Sequence, residues 1–271
     1  MDYGKAFDLS GRTIVITGGC GLLGREFAGA FRAHGARVAL LDLAAAEPAK
    51  VAQALAAQLG GSVVGLVCDV SDPKAADAAL DRVANDLGGP HVLLNNAQSA
   101  TADPMAYFAR FEDYDLAEWR RVLSVDLDGM AVMAQAAVRR MAGANGGSLI
   151  QIGSIYGAYA SDKRIYDGAT YKGVAINNPA VYAVGKAGVV GLTRWLAATY
   201  ADRGIRANAI MPGGVESGQS AAFVARYANR VPMGRMARKD EIAGTAIWLA
   251  SDASSYVTGQ SIFVDGGLSA W

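Results

Sequence analysis

Two side chains with complementary acid–base chemistry stand four residues apart in the segment Tyr182-Ala183-Val184-Gly185-Lys186. The segment has helical apolar periodicity, and residues four apart on a helix share one face. An ammonium favours the tyrosinate form of a nearby phenol, so Lys186 would lower the pKa of Tyr182 from its reference value of about 10. The pair could then exchange a proton with an alcohol or ketone oxygen. By itself this spacing is common on helix surfaces, so the inference depends on its surroundings.

A serine at the end of a predicted buried strand could complete the pair. The apolar run Leu149–Ile152 leads directly into Gly153-Ser154. From that position the Ser154 hydroxyl could hold a substrate oxygen while Tyr182 acts as the acid or base.

A glycine-rich turn follows the first predicted strand, Thr13–Ile16, and opens an apolar helix. Glycines there let the backbone approach a pyrophosphate, whose charge faces the amides at the helix N-terminus. This strand, turn and helix context favours a dinucleotide site over a purely structural turn. The residues expected at the cofactor are Gly18, Cys20, Gly21, Leu22, Leu23 and Gly24.

An acidic residue, Asp42, follows the second predicted strand, Val38–Leu41, and stands 18 residues beyond Gly24 (42 − 24). At an offset of roughly 20 residues, an acid accepts hydrogen bonds from the adenosine ribose hydroxyls. Its charge would repel a 2′-phosphate, and neither the glycine loop nor Leu43 and the alanines after it supply a positive clamp. NAD is therefore expected in preference to NADP, with Asp42 and Leu43 as expected cofactor contacts and a strand-end cap as the alternative role of Asp42.

Two further strand ends bring polar groups to the same expected edge of the sheet. Asp69-Val70 follows the third predicted strand, where Asp69 could accept from the adenine amino group. In Asn95-Asn96-Ala97, after the fourth strand, Asn95 and Ala97 could line the cofactor cleft. Each of these polar residues could instead serve as a cap.

The elements that must position these residues alternate along the chain. Strands are predicted at Thr13–Ile16, Val38–Leu41, Val63–Val67, Val92–Leu94, Leu149–Ile152, Ala207–Ile210 and Ile262–Val264. Helical periodicity covers Ala75–Leu87, Leu116–Met141 and Val181–Tyr200. This order predicts an α/β fold, a Rossmann-type doubly wound parallel sheet of about seven strands with helices on both faces. We expect a single domain over residues 1–271, since no linker, repeat or low-complexity segment interrupts it.

Composition excludes several function classes. The formal net charge is zero, so no positive field favours nucleic acid or a membrane surface. No signal peptide or long apolar run is present, and a cytoplasmic protein is expected. Two cysteines cannot build a disulfide framework, and His34 and His91 stand apart from each other, so no metal site is expected.

Taken together, the glycine loop, Asp69-Val70, Asn95-Asn96-Ala97, Ser154, the Tyr182/Lys186 pair and Pro212-Gly213 resemble the short-chain dehydrogenase/reductase family over essentially the whole chain. The resemblance implies that Tyr182 exchanges a proton with the substrate oxygen, Ser154 orients that oxygen, and Lys186 binds the nicotinamide ribose. It also implies a homotetramer. Further expected contacts are Pro212, Gly213 and Val215 at the cofactor and Tyr156 and Gly214 at the substrate, with a mobile substrate loop over 213–236 offering Gly218, Gln219, Phe223 and Arg226.

The sequence departs from that family pattern in three places. The glycines read TGxxGxxG, which is similar to the sugar-nucleotide epimerase branch. Asp126 stands where the family has an asparagine that takes part in a proton relay. Asp126 is therefore either a catalytic residue or a structural residue inside a helix. Ser154 and Tyr182 are 28 residues apart (182 − 154), because a polar, tyrosine-rich insertion occupies 157–179. An insertion of this kind suits a lid over a hydroxyl-rich ligand, and it resembles enzymes of flagellin or surface-sugar biosynthesis; an oligomer contact is the alternative.

The sequence leaves several functions in competition. The leading hypothesis is an NAD-dependent oxidoreductase acting on a secondary alcohol or ketone of a sugar, polyol or other polar substrate. Alternatives are a nucleotide-sugar epimerase or dehydratase that retains NAD, and a 3-oxoacyl or ketone reductase. Outside enzymes, the alternative is an NAD-binding sensor or scaffold, which the presence of Ser154, Tyr182 and Lys186 disfavours.

Overall fold

The structure is a computed structural model that describes residues 3–99, 101–141 and 146–271. Its main sheet has seven parallel strands in the order β3-β2-β1-β4-β5-β8-β9. Every strand predicted from the sequence is present, with ends that shift by a few residues. The strands are β1 Thr13–Thr17, β2 Arg37–Asp42, β3 Val63–Val67, β4 Val92–Asn95, β5 Gly147–Ile152, β8 Ile205–Pro212 and β9 Ser261–Val264, and a separate hairpin contains β6 Thr170–Tyr171 and β7 Val174–Ala175.

Helices cover both faces of the sheet, as the alternating pattern predicts. The described helices are α1 Leu22–Ala33, α2 Pro48–Leu59, α3 Pro73–Leu87, α4 Pro104–Tyr107, α5 Leu116–Leu123, α6 Gly129–Met141, α7 Ala180–Tyr200, α8 Ala221–Ala228 and α9 Asp240–Ala250. Local sequence explains where several begin. Asp72 accepts a hydrogen bond from the Lys74 amide, and Pro73 starts α3 with a backbone already suited to the first turn. Asp115 caps α5 in the same way.

Alternate residues of each strand supply two apolar clusters. On one face, Val15 and Leu93 are buried against α3, α6 and α7. On the other, Ile16 and Leu94 are buried against α1, α2 and α9, where Phe27 contributes one of the largest fully buried side chains. Strands covered on both faces read as continuous apolar runs, and this is the pattern that the sequence presents.

The strand order reverses direction between β1 and β4, so the segments that follow these two neighbours leave toward opposite faces. The carboxyl ends of β1 and β4 are linked by hydrogen bonds. The Thr17 hydroxyl accepts from the amides of Asn96 and Ala97, each at 3.0 Å. A crevice therefore opens at the carboxyl edge of the sheet, where α/β proteins bind their ligands.

The predicted helix Leu116–Met141 is interrupted. Between α5 and α6, residues Ser124–Asp128 form one π-helical turn that contains Asp126. At Gly129, where α6 begins, a Cβ atom would stand 2.7 Å from the Val70 side chain, so only glycine allows this close approach. Turns of this type occur inside helices mostly at functional sites.

The insertion 157–179 has more structure than its aperiodic sequence predicts. It contains a short 3₁₀ helix, Lys163–Tyr166, and the β6–β7 hairpin, which turns at Lys172-Gly173 with φ of 50° and 80°. A small apolar cluster that includes Ile165 and Phe223 packs it onto α8. The Asp162 carboxylate pairs with the Arg230 guanidinium at 3.1 Å, and Arg226 donates to the Asp167 carbonyl. The insertion and α8 thus form one wall, which we call the insertion–α8 wall.

The cysteines and histidines have structural surroundings. Cys20 and Cys68 are free, buried thiols, and burial raises the pKa of each to about 11. His91 accepts a hydrogen bond on Nδ1 from the Thr13 amide at 3.0 Å, and burial lowers its pKa. Within the described ranges, no cluster of three or more potential metal ligands occurs and no helix is long and apolar enough to cross a membrane.

Candidate active site

A cleft of about 520 Å³ opens at the carboxyl edge of the sheet, beneath the insertion–α8 wall. It brings together predicted residues from four parts of the chain. These are Leu23, Ser154, Tyr156, Tyr182, Lys186, Pro212, Gly213, Gly214 and Val215. This part of the predicted catalytic, cofactor and substrate set therefore lines one cavity.

Ser154 and Tyr182 are hydrogen-bonded through their side chains at the floor of the cleft. Ser154 follows β5 and also accepts the Tyr156 amide at 3.2 Å, which fixes its hydroxyl at the start of a 3₁₀ turn. Tyr182 lies in the first turn of α7. A Cβ atom on Gly157 would overlap the backbone of Lys186, so glycine there lets the segment after β5 approach α7 closely. One substrate oxygen could contact both hydroxyls in this arrangement.

Lys186 lies one turn after Tyr182 on α7 and is only 2% exposed. Its ammonium donates to the Ile152 carbonyl at 3.0 Å and lies 5.6 Å from the centre of the Tyr182 ring. The i, i+4 spacing therefore places the two groups together, as predicted. Burial lowers the pKa of Lys186, while the charge of Asp126 raises it.

The expected lowering of the Tyr182 pKa is not reproduced by the protein groups. Burial raises the pKa of Tyr182, the Ser154 hydrogen bond opposes that change, and the charge of Asp126 raises the pKa further. The attraction between ammonium and phenolate predicts a lower pKa, whereas desolvation of the buried phenolate raises it. A positive charge close to Tyr182 would oppose the effect of burial on its pKa.

Asp126 lies behind this pair, in the π-helical turn, and is 1% exposed. Its Oδ1 accepts the Ser99 amide at 2.6 Å, whereas its Oδ2 is buried without a hydrogen-bond partner among the described residues. Burial raises the pKa of Asp126, and the charge of Lys186 opposes this. Asp126 is thus electrostatically coupled to both members of the Tyr182/Lys186 pair.

The glycine loop has the shape of a phosphate cradle. The Gly21 amide donates to the Gly18 carbonyl at 3.2 Å, and a Cβ atom on Gly24 would overlap that same carbonyl. Gly18 has φ of 61°, and its Cα faces Ala97 across the crevice. No side chain caps the N-terminus of α1, unlike α3 and α5, so its first amides are available to an anion. Leu22 is exposed beside them and Leu23 faces the cleft. These residues suit a dinucleotide.

Asp42 lies at the end of β2 against this loop. Its two carboxylate oxygens accept the amides of Cys20 and Leu43, both at 2.9 Å. A carboxylate has further acceptor capacity, so a ribose hydroxyl could also bind there. Arg25, which the sequence argument did not consider, donates through Nε to the Cys20 carbonyl at 2.7 Å. A cation is therefore near the loop, although not within it.

The remaining predicted cofactor residues divide into two groups. Asp69 accepts both the amide and the hydroxyl of Ser71, and Val70 is buried against Gly129, so both hold the turn after β3. Asn95 is directed away from the cleft: it is 1% exposed and its amide donates to the Met130 carbonyl and to Gln151. The expectation that the Asn95 side chain lines the cofactor cleft is therefore wrong. The side chain of Asn95 points from the strand into the protein interior. The residues that border the crevice are Asn96 and Ala97.

Several cleft residues were missed from the sequence or only partly anticipated. The insertion contributes Tyr166, Asn177 and Asn178, which its polarity indicated as a group but not individually. Gln219 and Phe223 of the 213–236 loop line the cleft, whereas Arg226 holds the insertion instead. No sequence motif marked the segment after β4. It supplies Gln98, Thr101, Tyr107 and Phe108.

Comparison with known proteins gives consistent matches along the chain. A family model described as enoyl-(acyl carrier protein) reductase matches residues 22–269. The chain is 36% identical to D-threitol dehydrogenase of Mycolicibacterium smegmatis over 269 residues, which is 96% of this chain and 94% of that protein. It is 35% identical to galactitol 2-dehydrogenase (L-tagatose-forming) of Cereibacter sphaeroides, with all of both chains covered.

A solved structure extends these similarities to three dimensions. A gluconate 5-dehydrogenase from Burkholderia cenocepacia, in complex with NADP and tartrate, superposes with a TM-score of 0.85. It is 31% identical in sequence, and the match covers 98% of each chain.

Proposed function

Since the chain belongs to the short-chain dehydrogenase/reductase family, we propose that it interconverts a secondary alcohol and a ketone of a polyol or sugar, with NAD as the hydride carrier. Family membership makes the protein an oxidoreductase acting on CH–OH groups with a nicotinamide cofactor. The polyol or sugar and the choice of NAD are the finer parts of the proposal.

The observation that carries the proposal is the convergence of Ser154, Tyr182 and Lys186 in one polar cleft. The two hydroxyls hold the substrate oxygen, and Tyr182 takes the alcohol proton during oxidation and returns it during reduction. The bound nicotinamide supplies the hydride acceptor and, when oxidised, a positive charge. That charge would favour the tyrosinate, which the protein's own burial disfavours. Lys186 adds its ammonium to the same region and can donate to the nicotinamide ribose.

Residues of the glycine loop and the strand ends would hold the cofactor. The uncapped N-terminus of α1 would bind the pyrophosphate, and Asp42 would accept hydrogen bonds from the adenosine ribose. Pro212, Gly213 and Val215 follow β8 and bound the cleft at the nicotinamide end. The charge of Asp42 supports NAD over NADP, while the NADP in the similar gluconate 5-dehydrogenase makes a direct comparison necessary.

The lining of the cleft supports a hydroxyl-rich substrate. Gln98 and Asn178 present side-chain amides, and Tyr156 and Tyr166 present phenols, whereas the amides of Asn177 and Gln219 line the cleft but are hydrogen-bonded within the protein. Many hydrogen-bonding groups in one site discriminate strongly in favour of ligands that satisfy them. D-Threitol and galactitol dehydrogenases, to which this chain is similar, are named for substrates of that kind.

One sequence feature favours a second candidate, a nucleotide-sugar epimerase that retains its NAD. The glycines of Thr17-Gly18 through Gly24 have the TGxxGxxG spacing. Such an enzyme would isolate with tightly bound cofactor and would cause no net nicotinamide reduction. A dehydrogenase would reduce added nicotinamide in proportion to the alcohol consumed.

We also propose a cytoplasmic homotetramer. β9 is the last strand of the sheet, and its four residues are only partly buried in the single chain. A partner chain would cover that edge. Light scattering on the purified protein measures the number of subunits directly.

A substrate screen tests the proposed function. The purified protein is incubated with NAD or NADP and a panel of alditols, aldoses, nucleotide sugars, steroids and, in the reductive direction, 3-oxoacyl thioesters. Reduced nicotinamide is followed by absorbance. We expect turnover with alditols or sugars and NAD. Turnover confined to acyl thioesters or steroids would contradict the proposal, and conversion of a nucleotide sugar without nicotinamide turnover would favour the epimerase.

A further inference from the structure

We infer that the substrate of this cleft is electrically neutral: a polyol or cyclic alcohol that carries no carboxylate, phosphate or sulfonate. The inference rests on the proposed function and narrows it. It is carried by the distribution of charged side chains around the cleft.

Among the described residues that line the cavity, the only charged side chain is Lys186. Its ammonium is buried at the floor and donates to the Ile152 carbonyl, on the side where the reacting oxygen binds. The Lys186 ammonium therefore lies near the reacting carbon of a bound substrate. It is not positioned to pair with an acidic group at the opposite end of that substrate. A carboxylate moved from water into this cleft would lose its hydration without gaining a cation.

The arginines of the insertion–α8 wall are already engaged. Arg230 and Arg164 both pair with the Asp162 carboxylate, and Arg226 donates to the Asp167 carbonyl. None of the three lines the cleft; they bound a separate depression on the outer side of this wall. Arg164 and Arg230 share the Asp162 carboxylate, and Arg226 is held by a backbone carbonyl outside the cleft, so none of the three guanidinium groups is directed to the substrate.

A buried negative charge lies behind the floor of the cleft and would repel an anionic ligand. Asp126 is buried next to the catalytic pair, and its carboxylate raises the pKa of both Tyr182 and Tyr107, each of which lines the cleft. The same field that disfavours a second negative charge on these phenols disfavours one on a bound ligand.

Neutral hydrogen-bonding groups are abundant instead. The side-chain amides of Gln98 and Asn178 have no hydrogen-bond partner within the described part of the chain, and each offers both donors and an acceptor. The hydroxyls of Tyr156 and Tyr166 hydrogen-bond to each other, and burial raises the pKa of both, so they remain protonated. Such a set can satisfy several hydroxyl groups of a sugar alcohol.

The contrast with a related structure sharpens the inference. The gluconate 5-dehydrogenase named above acts on a carboxylate-bearing substrate and was solved with tartrate, a dicarboxylate. Its fold is shared with this chain, so the fold itself does not decide substrate charge. The side chains that line the cleft would decide it, and in the described part of this chain all of them except Lys186 are neutral.

Matched substrate pairs test the inference on the unmodified protein. Each pair keeps the reacting carbinol and replaces a terminal hydroxymethyl group by a carboxylate: galactitol with galactonate, threitol with threonate, and 4-(hydroxymethyl)cyclohexanol with 4-hydroxycyclohexanecarboxylate. We expect kcat/KM to be about a hundredfold higher for the neutral member of the preferred pair, since an unpaired charge in a desolvated site is strongly penalised. An acid that is oxidised as fast as its neutral partner overturns the inference and leaves the proposed function standing. Oxidation of neither member in any pair contradicts both.

A charge-introducing variant gives a second readout. Asn178→Arg places a cation in the cleft and should raise kcat/KM for the acid relative to the neutral partner by about tenfold. Asn229→Arg makes the same change on the outer side of the insertion–α8 wall and should leave that ratio at its wild-type value. An unchanged ratio in Asn178→Arg, with cofactor binding intact, would show that cleft charge does not select the substrate and would overturn the inference.

Discussion

The Asp42 carboxylate should set the cofactor preference, and the substitution Asp42→Asn isolates its charge. Asparagine keeps the shape of the side chain and one carbonyl oxygen, so it can still accept one of the two amides that Asp42 now holds, from Cys20 or Leu43. Any disturbance of the glycine loop affects NAD and NADP alike. The ratio of the two kcat/KM values therefore reports the charge itself.

The magnitude follows from the position of Asp42, which is half-buried at the rim of the crevice. Two unit charges about 4 Å apart interact by about 1 kcal/mol in water and about 4 kcal/mol at an effective dielectric of 20. Between these limits, repulsion of a 2′-phosphate by Asp42 is worth about 2 kcal/mol. Replacing a charged acceptor by a neutral one weakens the ribose hydrogen bond of NAD by about 1 kcal/mol more. Together these changes correspond to a factor of about a hundred in the NAD/NADP ratio.

The assay measures initial rates with saturating alcohol over a range of NAD and NADP concentrations. Wild type should prefer NAD, and Asp42→Asn should lose about a hundredfold of that preference, mainly because NADP improves. Asp115→Asn is the matched control, because it makes the same charge change at a helix cap of α5 that asparagine also satisfies. A wild-type preference for NADP, or an unaltered ratio in Asp42→Asn, would refute the reasoning. Arg25 would then become the group to test, since it lies against the same loop.

Two further predictions follow from buried titratable groups. Asp126→Asn removes a negative charge that raises the pKa of Tyr182, so the acidic limb of the kcat/KM profile for alcohol oxidation should move to lower pH. Asp128→Asn, in the same π-helical turn but exposed, should leave that limb in place. An unshifted limb in Asp126→Asn would rule out the coupling. His91 has a lowered pKa in the folded chain, so its contribution to stability is present above about pH 6.5 and is lost as the pH falls below that value. Denaturant titrations at about pH 7.5 and about pH 5.5 should therefore show a smaller loss of unfolding free energy in His91→Gln than in wild type or His34→Gln, and equal losses would contradict this assignment.

The sequence was most informative where a local pattern has a single physical solution. Apolar runs such as Ile14–Ile16 are typical of a strand buried on both faces of a covered parallel sheet, and the order of the strands sets the crevice. The i, i+4 spacing places Tyr182 and Lys186 together whatever else surrounds them. These features depend on neighbouring residues, so no distant information was needed.

Features that depend on distant packing were not predictable in the same way. The direction of the Asn95 side chain depends on the carbonyl of Met130 and on Gln151, which are far away in the sequence. The π-helical turn at Asp126 ends beside Gly129, whose close contact with Val70 joins segments far apart in the sequence. The pKa of Tyr182 depends on how deeply the folded chain buries it. Each is a long-range consequence of the fold, and each alters an inference made from local pattern.

The account rests on Tyr182 as the group that exchanges the substrate proton, and one comparison of rates tests this most directly. NAD reduction by the best alditol of the screen is measured for wild type, Tyr182→Phe and Tyr256→Phe, the last being a fully exposed tyrosine outside the cleft. With cofactor binding shown to be intact, Tyr182→Phe should lose roughly 10²–10⁴-fold in kcat, the range for removal of a general acid or base, while Tyr256→Phe keeps the wild-type rate. A Tyr182→Phe enzyme that turns over at the wild-type rate would contradict the account.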